Sequence, residues 1–269
     1  MEQIRAVVAG AGGRMGQRII VALDGQQGIA LCGACERPGH PSLGCDAGVA
    51  AGIHVEDVLI EERMESVLPR GDVLIDFTAP EASLRHVELA VQQGKALVLG
   101  TTGLDAAQVA VLEKAARKIP IVYAPNMSVG VNLLFKVLGD VAAVLGDSYD
   151  VEIVEAHHRF KKDAPSGTAK KMAQVIAEAL RRDLEKVAVP GRSGMIGERT
   201  AEEIGIFAVR GGDIVGDHTV IFAGLGERIE ITHRAHSRDT FARGAVRAAK
   251  WVVGRVPGLY DMMDVLGLK

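Results

Sequence analysis

One segment of this 269-residue chain concentrates groups that bind anions and transfer protons. Residues 155–168 read EAHHRFKKDAPSGT, with two imidazoles and three cations between His157 and Lys162. Ser166, Gly167 and Thr168 then stand at the predicted start of a helix, whose free N–H groups and dipole attract an anion. A single His or Lys in a loop is usually solvated, but this grouping beside a helix start predicts a dianion receptor with proton donors.

A glycine-rich turn is the second chemical feature. GAGGRMG, from Gly10 to Gly16, follows the first predicted strand and begins the first predicted helix, the setting in which backbone N–H groups hold a pyrophosphate. The spacing is G-x-G-x-x-x-G, because Met15 occupies the third glycine's place. At the end of the second predicted strand, Glu36 could accept hydrogen bonds from ribose hydroxyls, and Arg37 could reach a 2′-phosphate. The pattern predicts a dinucleotide site and leaves NADH and NADPH open.

Two further loops leave the carboxyl ends of predicted parallel strands, the edge where doubly wound sheets bind ligands. They are GTTG at 100–103 and APNMS at 124–128, and small polar loops of this kind suit a nicotinamide ribose and ring. Ordinary strand-to-helix turns have similar sequences, so each loop alone is a weak signal. Thr78 and Glu81 have the spacing of a capping box, which predicts a helix start at that point.

The elements that must position these residues alternate along the first half of the chain. Short apolar runs predict buried parallel strands at Ile4–Ala9, Ile29–Cys35, Val73–Phe77, Ala96–Leu99 and Ile119–Tyr123. Helical periodicity lies between them at Met15–Leu23, Glu81–Gln93 and Asp105–Lys118. This alternation predicts an α/β, doubly wound sheet of the Rossmann type.

After Asn126 the pattern changes to that of an α+β domain on a mixed or antiparallel sheet. Helices are predicted at Val129–Leu145 and about Thr168–Arg181, and strands at Val151–Ala156, Ile204–Val209, His218–Phe222 and Arg228–His233. A last helix, Ala242–Val253, could return to the first domain. We therefore expect residues 1–128 plus 239–269 to form a dinucleotide-binding domain, and residues 129–238 a substrate-binding and oligomerisation domain.

Composition excludes several classes of protein. The formal net charge of −3, one Trp, three Tyr and six Phe disfavour nucleic-acid binding, which needs a basic surface or stacking platforms. No signal peptide or membrane span is expected, since no unbroken apolar run approaches 18 residues. The chain is therefore expected to be cytoplasmic, with neither nucleic acid nor membrane as a partner.

The three cysteines, Cys32, Cys35 and Cys45, cannot form a disulfide framework or a four-ligand zinc site, so no metal is expected. Cys32 and Cys35 match a C-x-x-C pattern, but an offset of three along a strand predicts opposite faces and hence small buried hydrophobes. His233 and His236 are also interpreted as surface or interface histidines with satisfied hydrogen bonds, because imidazoles three apart on a strand diverge and no Cys is available to complete a metal site.

Five motifs give the chain a resemblance, along its whole length, to the 4-hydroxy-tetrahydrodipicolinate reductases (dihydrodipicolinate reductases) of the diaminopimelate and lysine pathway. They are VAGAGGRMG, IDFT, GTTG, APNMSVGVN and EAHHRFKKDAPSGTA. The resemblance implies an NADH- or NADPH-dependent enzyme that reduces a small cyclic imine dicarboxylate, and a homotetramer assembled through second-domain sheets. Ala79 occupies a place where some members carry a basic residue near the cofactor phosphate, which favours NADH slightly.

The resemblance also implies roles for particular residues. His157 and Lys161 take the proton-donor positions, without a choice between them. The substrate-binding positions are His158, Ser166, Gly167 and Thr168. The cofactor-binding positions are Gly10, Ala11, Gly12, Gly13, Arg14, Met15, Glu36, Arg37, Gly100, Thr101, Thr102, Ala124, Pro125, Asn126 and Met127.

Two other functions are compatible with a glycine-rich dinucleotide domain. A semialdehyde dehydrogenase would need a thiolate for its thioester, and no cysteine follows Cys45. A dinucleotide-sensing regulator would have no use for the His157, His158 and Lys161 cluster. Oxidation of NADH or NADPH that depends on the imine substrate would discriminate between these functions.

Overall fold

In the computed structural model, residues 3–269 are described, and over that range the chain forms twelve β-strands and ten α-helices. The strands are β1 Ile4–Ala9, β2 Ile29–Cys35, β3 Ile60–Glu61, β4 Val73–Asp76, β5 Ala96–Leu99, β6 Pro120–Tyr123, β7 Asp150–His157, β8 Ala188–Val189, β9 Ile204–Arg210, β10 Gly216–Ala223, β11 Arg228–Ala235 and β12 Gly258–Tyr260. The α-helices are α1 Arg14–Leu23, α2 Ala47–Ala51, α3 Met64–Val67, α4 Pro80–Gln93, α5 Ala106–Ala116, α6 Val129–Leu145, α7 Gly167–Ala179, α8 Leu184–Val187, α9 Asp239–Val252 and α10 Met262–Leu266.

The chain divides into two compact units. The first contains the described residues up to Val129 together with Arg238–Lys269, and the second contains Gly130–Ser237.

The first unit is built on a seven-stranded parallel sheet in the order β12-β6-β5-β4-β1-β2-β3. Alternate side chains of each strand enter two cores, one on each face. Ala6 and Val8 of β1 pack with α1 and α9, whereas Val7 packs with α4 and α5. The strand order reverses direction at β1, so the adjoining carboxyl ends form the ligand-binding edge of a Rossmann-type sheet.

The predicted strands of this unit are confirmed within one residue at each end, and the predicted helices within two, except that α9 begins at Asp239, three residues before the predicted start at Ala242. The structure adds α2, β3, α3, β12 and α10, none longer than five residues. Elements this short carry too few residues for a hydrophobic period to be recognised.

A β-bulge in β2 overturns one prediction. The partner of Ala6 is Leu31, but that of Val7 is Gly33, so Cys32 is an extra residue on β2. The bulge shifts the alternation by one, and Cys32 and Cys35 consequently contact the same core cluster rather than opposite faces. Burial raises the pKa of Cys32 to about 11 and that of Cys35 to about 12, so both thiols remain protonated near neutral pH.

The second unit is built on a five-stranded sheet in the order β11-β10-β7-β9-β8. β10 and β11 form an antiparallel hairpin, and β7 pairs antiparallel with β10 but parallel with β9. The sheet is therefore mixed, and the purely antiparallel alternative is wrong because β9 crosses to the far side of β7. Val151 and Ile153 pack beneath α6 and α7, and Glu155 and His157 continue the same buried face of β7.

One stretch, Val129–Ser148, is long and apolar enough to cross a membrane by length and composition alone, with a mean hydropathy of 1.7. The absence of an unbroken apolar run predicts no such segment, because polar residues such as Lys136 and Asp140 interrupt this one. Inside this stretch Lys136 pairs with Asp140 at 2.7 Å, and Leu134 and Leu138 pack in the core of the second unit. These features make it a weak candidate for a membrane span.

The helix α9 belongs to the first unit. Its buried face, which includes Ala245 and Val252, joins the core beside α1. Asp239 at its start pairs with Arg18 of α1, and Lys250 donates a hydrogen bond to the carbonyl oxygen of Gln27. The helix α9 thus packs in the same core as β1 and α1, which come from the first residues of this unit.

Candidate functional site

The glycine-rich turn joins β1 to α1 in the first unit. Gly10 has φ +67°, a conformation that glycine enters without steric cost. A Cβ on Gly16 would lie 2.0 Å from the carbonyl oxygen of Gly10, so this displaced glycine lets α1 pack tightly on the turn. Gly13 is the N-cap, and no side chain caps the helix. The start of α1 can therefore receive an anionic group.

Glu36 lies directly against this turn and is only 8% exposed. Its Oε2 accepts a hydrogen bond from the amide of Gly12 at 3.0 Å, and its Oε1 accepts one from the amide of Arg37 at 2.9 Å. The amides of Ala11 and Gly13 bond to the carbonyl oxygens of Cys35 and Gly10. The first turn of α1, with Arg14 and Met15, is therefore the part of the motif that can face a phosphate.

The loop after β5 is shaped by an aromatic ring. A Cβ on Gly100 would lie 2.1 Å from the ring of Phe77, so only glycine fits there. Thr101 is buried, and its hydroxyl lies 2.7 Å from that of Ser83. Thr102 is exposed. The loop therefore presents Thr102 at the surface and uses the Thr101 hydroxyl internally.

The loop after β6 is divided in the same way. Ala124 and Met127 are buried in the core of the first unit, whereas Pro125 is exposed. Oδ1 of Asn126 accepts a hydrogen bond from the amide of Ser128 at 2.9 Å. The structure thus places Pro125 and Asn126 nearer the surface than the other two predicted contacts.

The predicted capping box at Thr78 and Glu81 is wrong. The helix α4 begins at Pro80, and its N-cap is Ala79, which has no side-chain cap. The hydroxyl of Thr78 instead donates to Oδ1 of Asp76 at 2.7 Å. The buried carboxylate of Asp76 attracts this hydroxyl more strongly than a helix amide does, because the hydrogen bond is charge-assisted.

In the second unit, Ser166 caps the helix α7. Its Oγ accepts from the amide of Ala169 at 3.2 Å, and Gly167 follows as the first helical residue. A Cβ on Gly167 would meet nothing within 4 Å, so the space beside this helix start is open. The predicted helix N-terminus at Ser166, Gly167 and Thr168 is therefore present.

The two proposed proton donors differ in their surroundings. His157 is buried, and its Nδ1 lies 2.5 Å from Oε2 of Glu155. Lys161 is half-buried and pairs with Asp163 at 2.9 Å. His158, beside them in sequence, accepts at Nδ1 from the amide of Phe160 at 3.2 Å, so Nε2 carries the proton of its neutral ring.

Two residues that sequence reasoning missed complete this cluster. Arg210 donates two hydrogen bonds to Glu155, at 2.8 and 2.9 Å. His218 is 4% exposed, with its Nε2 3.1 Å from Oγ of Ser166 and its ring edge-on to His157 at 5.2 Å between centroids. Both lie on strands far along the chain, so strand register, which a single sequence does not reveal, brings them here.

Burial and hydrogen bonds together set the charges in this cluster. Burial lowers the pKa of His157, against the effect of its hydrogen bond to Glu155, and lowers the pKa of His218 to about 4. Burial alone would raise the pKa of Glu155, but hydrogen bonds from Arg210 and His157 hold it below its ordinary value. Glu155 is therefore ionised and His218 neutral near pH 7.

His233 is less fully satisfied than expected. It is half-buried opposite His218 on the neighbouring strand, and its Nδ1 is buried without a hydrogen-bond partner among the described residues. Among the same residues, one group could hold a metal ion by geometry: Asp24, His54 and Glu56, of which none is fully buried. Such surface groups are common without a metal.

Comparisons with known proteins cover both units. The family described as "Dihydrodipicolinate reductase, N-terminus" matches residues 4–127, and "Dihydrodipicolinate reductase, C-terminus" matches residues 130–266. A relative from Citrifermentans bemidjiense, called 4-hydroxy-tetrahydrodipicolinate reductase, is 58% identical over 99% of this chain and 100% of its own. A relative of the same description from Geotalea daltonii is 59% identical over the same shares.

Solved structures agree with these matches. A dipicolinate-bound dihydrodipicolinate reductase from Paenisporosarcina sp. TG-14 has a TM-score of 0.74 at 26% identity, covering 97% of this chain and 98% of that one. An aspartate semialdehyde dehydrogenase II from Vibrio cholerae has a TM-score of 0.53 at 10% identity, covering 94% and 99%. The second likeness concerns the fold alone.

Proposed function

The chain belongs to the dihydrodipicolinate reductase family, and we propose that it reduces 4-hydroxy-tetrahydrodipicolinate to tetrahydrodipicolinate with NADH or NADPH, in diaminopimelate and lysine biosynthesis. The observation that carries this proposal is the cluster in residues 155–168. An imidazole hydrogen-bonded to a buried carboxylate stands there beside the open N-terminus of α7. The semialdehyde dehydrogenase alternative lacks its nucleophile, since no cysteine follows Cys45.

The overall reaction adds one hydride and one proton to the substrate and releases the 4-hydroxyl as water. A bound nicotinamide supplies the hydride to C4 of the ring. An enamine-like ring carbon must then take a proton, which requires an acid within hydrogen-bond reach. His157 and Lys161 are the two candidates, and both belong to the cluster described above.

The substrate carries two carboxylates, which need cationic or N–H donors. We assign one to the start of α7, where Ser166, Gly167 and Thr168 present backbone and hydroxyl groups. His158 and Lys161 supply the donors for the remaining charge, including that which develops as hydride arrives.

Residues of the first unit are suited to hold the dinucleotide. The uncapped start of α1 fits the pyrophosphate, and the carboxylate of Glu36, already placed against the turn, fits the ribose hydroxyls. The exposed Arg37 and Arg14 could pair with a 2′-phosphate. The proposed contacts are Gly10, Ala11, Gly12, Gly13, Arg14, Met15, Glu36, Arg37, Gly100, Thr101, Thr102, Ala124, Pro125, Asn126 and Met127.

We also propose that the enzyme is a cytoplasmic homotetramer assembled through the sheet of the second unit. One face of that sheet packs beneath helices, while alternate residues such as Val154, Phe207 and Ile221 of the other face are only half-buried in the single chain. Light scattering on the purified protein tests the number of subunits, and a monomer at micromolar concentration would contradict the proposal.

Oxidation of NADH or NADPH, followed by absorbance with substrate generated enzymatically in the cuvette, tests the activity. We expect turnover only when the imine substrate is present. Cofactor oxidation without it, or no oxidation with it, would contradict the proposed reaction.

A planar dicarboxylate tests the binding arrangement. Pyridine-2,6-dicarboxylate should inhibit competitively against the imine substrate, because both of its carboxylates find donors. Pyridine-2-carboxylate should bind more weakly, since one group of donors stays unpaired. Equal inhibition by the two compounds would argue against a dianion site at the start of α7.

A further inference from the structure

The candidate proton donor His157 is held by a carboxylate to which the proposed reaction gives no direct part. Glu155 and His157 are two residues apart on β7 and so point to the same face. Oε2 of Glu155 lies 2.5 Å from Nδ1 of His157. The Glu155 side chain has no solvent exposure, so this contact is protected from competing water.

Glu155 is itself fixed on both oxygens. Arg210, which is opposite His157 in the register of β7 and β9, donates from Nη1 to Oε2 and from Nη2 to Oε1. The amide of Ser166 also donates to Oε1, at 3.0 Å. A bidentate Arg–carboxylate pair fixes the plane of the carboxylate as well as its charge. Glu155 therefore joins the proton donor to the N-cap of the proposed substrate-binding helix.

This arrangement selects one tautomer of His157. An ionised carboxylate only accepts hydrogen bonds, so Nδ1 must carry the proton that lies between the two groups. The basic atom of the neutral ring is then Nε2, which makes no hydrogen bond among the described residues and lies against Gly216, where a Cβ would be 3.1 Å away. Nε2 is consequently the atom that can take up and release a proton.

We propose that Glu155, fixed by Arg210, is a positioning residue that holds His157 as the Nδ1–H tautomer and stabilises its protonated form, so that Nε2 delivers the proton. The proposal rests on the proposed function for its kinetic consequence, although the tautomer itself can be measured without turnover.

Other charged and titratable groups also face His157, and their effects must be separated from that of Glu155. Three neighbours disfavour a positive charge on His157: Lys161, Arg210 and the His218 ring. Glu155 favours that charge. Asp163 pairs with Lys161, and His233 lies beyond His218 on the next strand. Glu155 is thus the carboxylate in direct contact with the imidazole.

Glu155→Gln is the principal test, because it removes the charge while keeping the shape and an acceptor for the Ser166 amide. The matched control is Glu152→Gln, on the same strand but the opposite face, where Arg192 makes a bidentate pair at 2.9 and 3.0 Å. Histidine-labelled protein, assigned with His157→Gln, gives the titration and tautomer of His157 by NMR without substrate. The dependence of kcat on pH and the KM for the imine are measured on the same variants.

We expect Glu155→Gln to lower the pKa of His157 by about one unit, which corresponds to tenfold less protonated form at a fixed pH above it. The fall in kcat with rising pH should begin about one unit lower, with KM changed less than about twofold, and Glu152→Gln should leave both properties unchanged. Should Glu155→Gln not fold, Arg210→Lys, which keeps the charge but loses the bidentate geometry, should shift the titration in the same direction by less.

An unchanged His157 titration in the folded variant, or a dominant Nε2–H tautomer in the wild type, would overturn the proposal. So would an effect on KM alone. If the wild type fails to reduce the imine substrate while NMR shows the expected tautomer, the proposed function fails and the positioning by Glu155 stands.

Discussion

The candidate sites of the two units differ in whether backbone groups or side chains form them. In the first unit the site consists mainly of backbone, with Gly10 in a left-handed conformation and α1 packed onto the turn at Gly16. In the second unit the site consists of side chains that form hydrogen bonds with one another, centred on Glu155. A glycine-rich turn can be encoded by consecutive residues, whereas a side-chain network needs partners from several strands.

This difference determines how each site fails. A backbone site is disrupted by any atom that fills the space of an absent side chain, while its charge is almost indifferent to pH. A side-chain site tolerates added volume where space is open, but depends on the protonation of its members. Substitutions and pH should therefore affect the two sites differently.

Gly16→Ala should have the largest effect. Its Cβ would lie 2.0 Å from a backbone oxygen that cannot move without reshaping the turn, so we expect a loss of about 3 kcal/mol or more in unfolding free energy, measured by urea denaturation. The control is Gly167→Ala in the second unit, where a Cβ meets nothing, and we expect a change within about 0.5 kcal/mol. Equal effects of the two substitutions would remove the distinction between the sites.

Acid should destabilise the protein through buried histidines of the second unit. His218 titrates at about 4 when folded and at 6.5 in its ordinary state, so the unfolded chain binds more protons and stability falls as pH drops from about 6.5 toward 4. The full pKa difference of His218 corresponds to roughly 3 kcal/mol in the free energy of unfolding. The lowered pKa values of His157 and His233 act with the same sign.

Thermal denaturation between pH 7 and pH 4.5 measures this effect. In His218→Gln, whose side-chain amide can still bond to Ser166, the dependence on pH should be weaker than in the wild type. An identical dependence in both proteins would show that His218 does not contribute. Carboxylates with lowered pKa values, such as Glu155, contribute mainly below this window.

The next effect is kinetic. His157→Ala and Lys161→Ala should each lower kcat by about 10² or more, equivalent to roughly 2.7 kcal/mol, because each removes an acid or a positive charge from the site. Circular dichroism should show that both variants remain folded. Near-normal turnover in both folded variants would remove the catalytic assignment from residues 155–168.

Cofactor choice should show the smallest effect. We expect Glu36 to favour NADH and Arg37 to favour NADPH by charge-assisted contacts of similar size, and therefore kcat/KM values within about tenfold, or roughly 1.4 kcal/mol, with NADH slightly preferred. Arg37→Ala should impair NADPH selectively, and Glu36→Ala should impair NADH selectively. A wild-type preference above about a hundredfold would mean that other residues set the choice.

Most of the first unit could be predicted from the sequence because neighbouring residues determine its strands and its glycine-rich turn. Buried parallel strands such as β5 are continuous apolar runs, and the displaced glycine of the G-x-G-x-x-x-G motif was visible at Gly16. The bulge at Cys32 escaped detection because it depends on pairing with β1 rather than on its own sequence. In the second unit the segment 155–168 was recognisable, but Arg210 and His218 were not, since only register places them beside Glu155.

The return of α9 to the first unit has a consequence for biosynthesis on the ribosome. The nascent chain contains the strands β1 to β6 well before it contains Ala245 and Val252 of α9, which share with α1 the covering of one face of their sheet. About a hundred residues of the second unit must be translated in between, which takes roughly 5 to 20 s at ordinary elongation rates. During that interval α1 is the long helix available to this face, and the apolar residues that α9 would cover stay exposed. Nascent or truncated chains that end before residue 238 should therefore be substrates for chaperones.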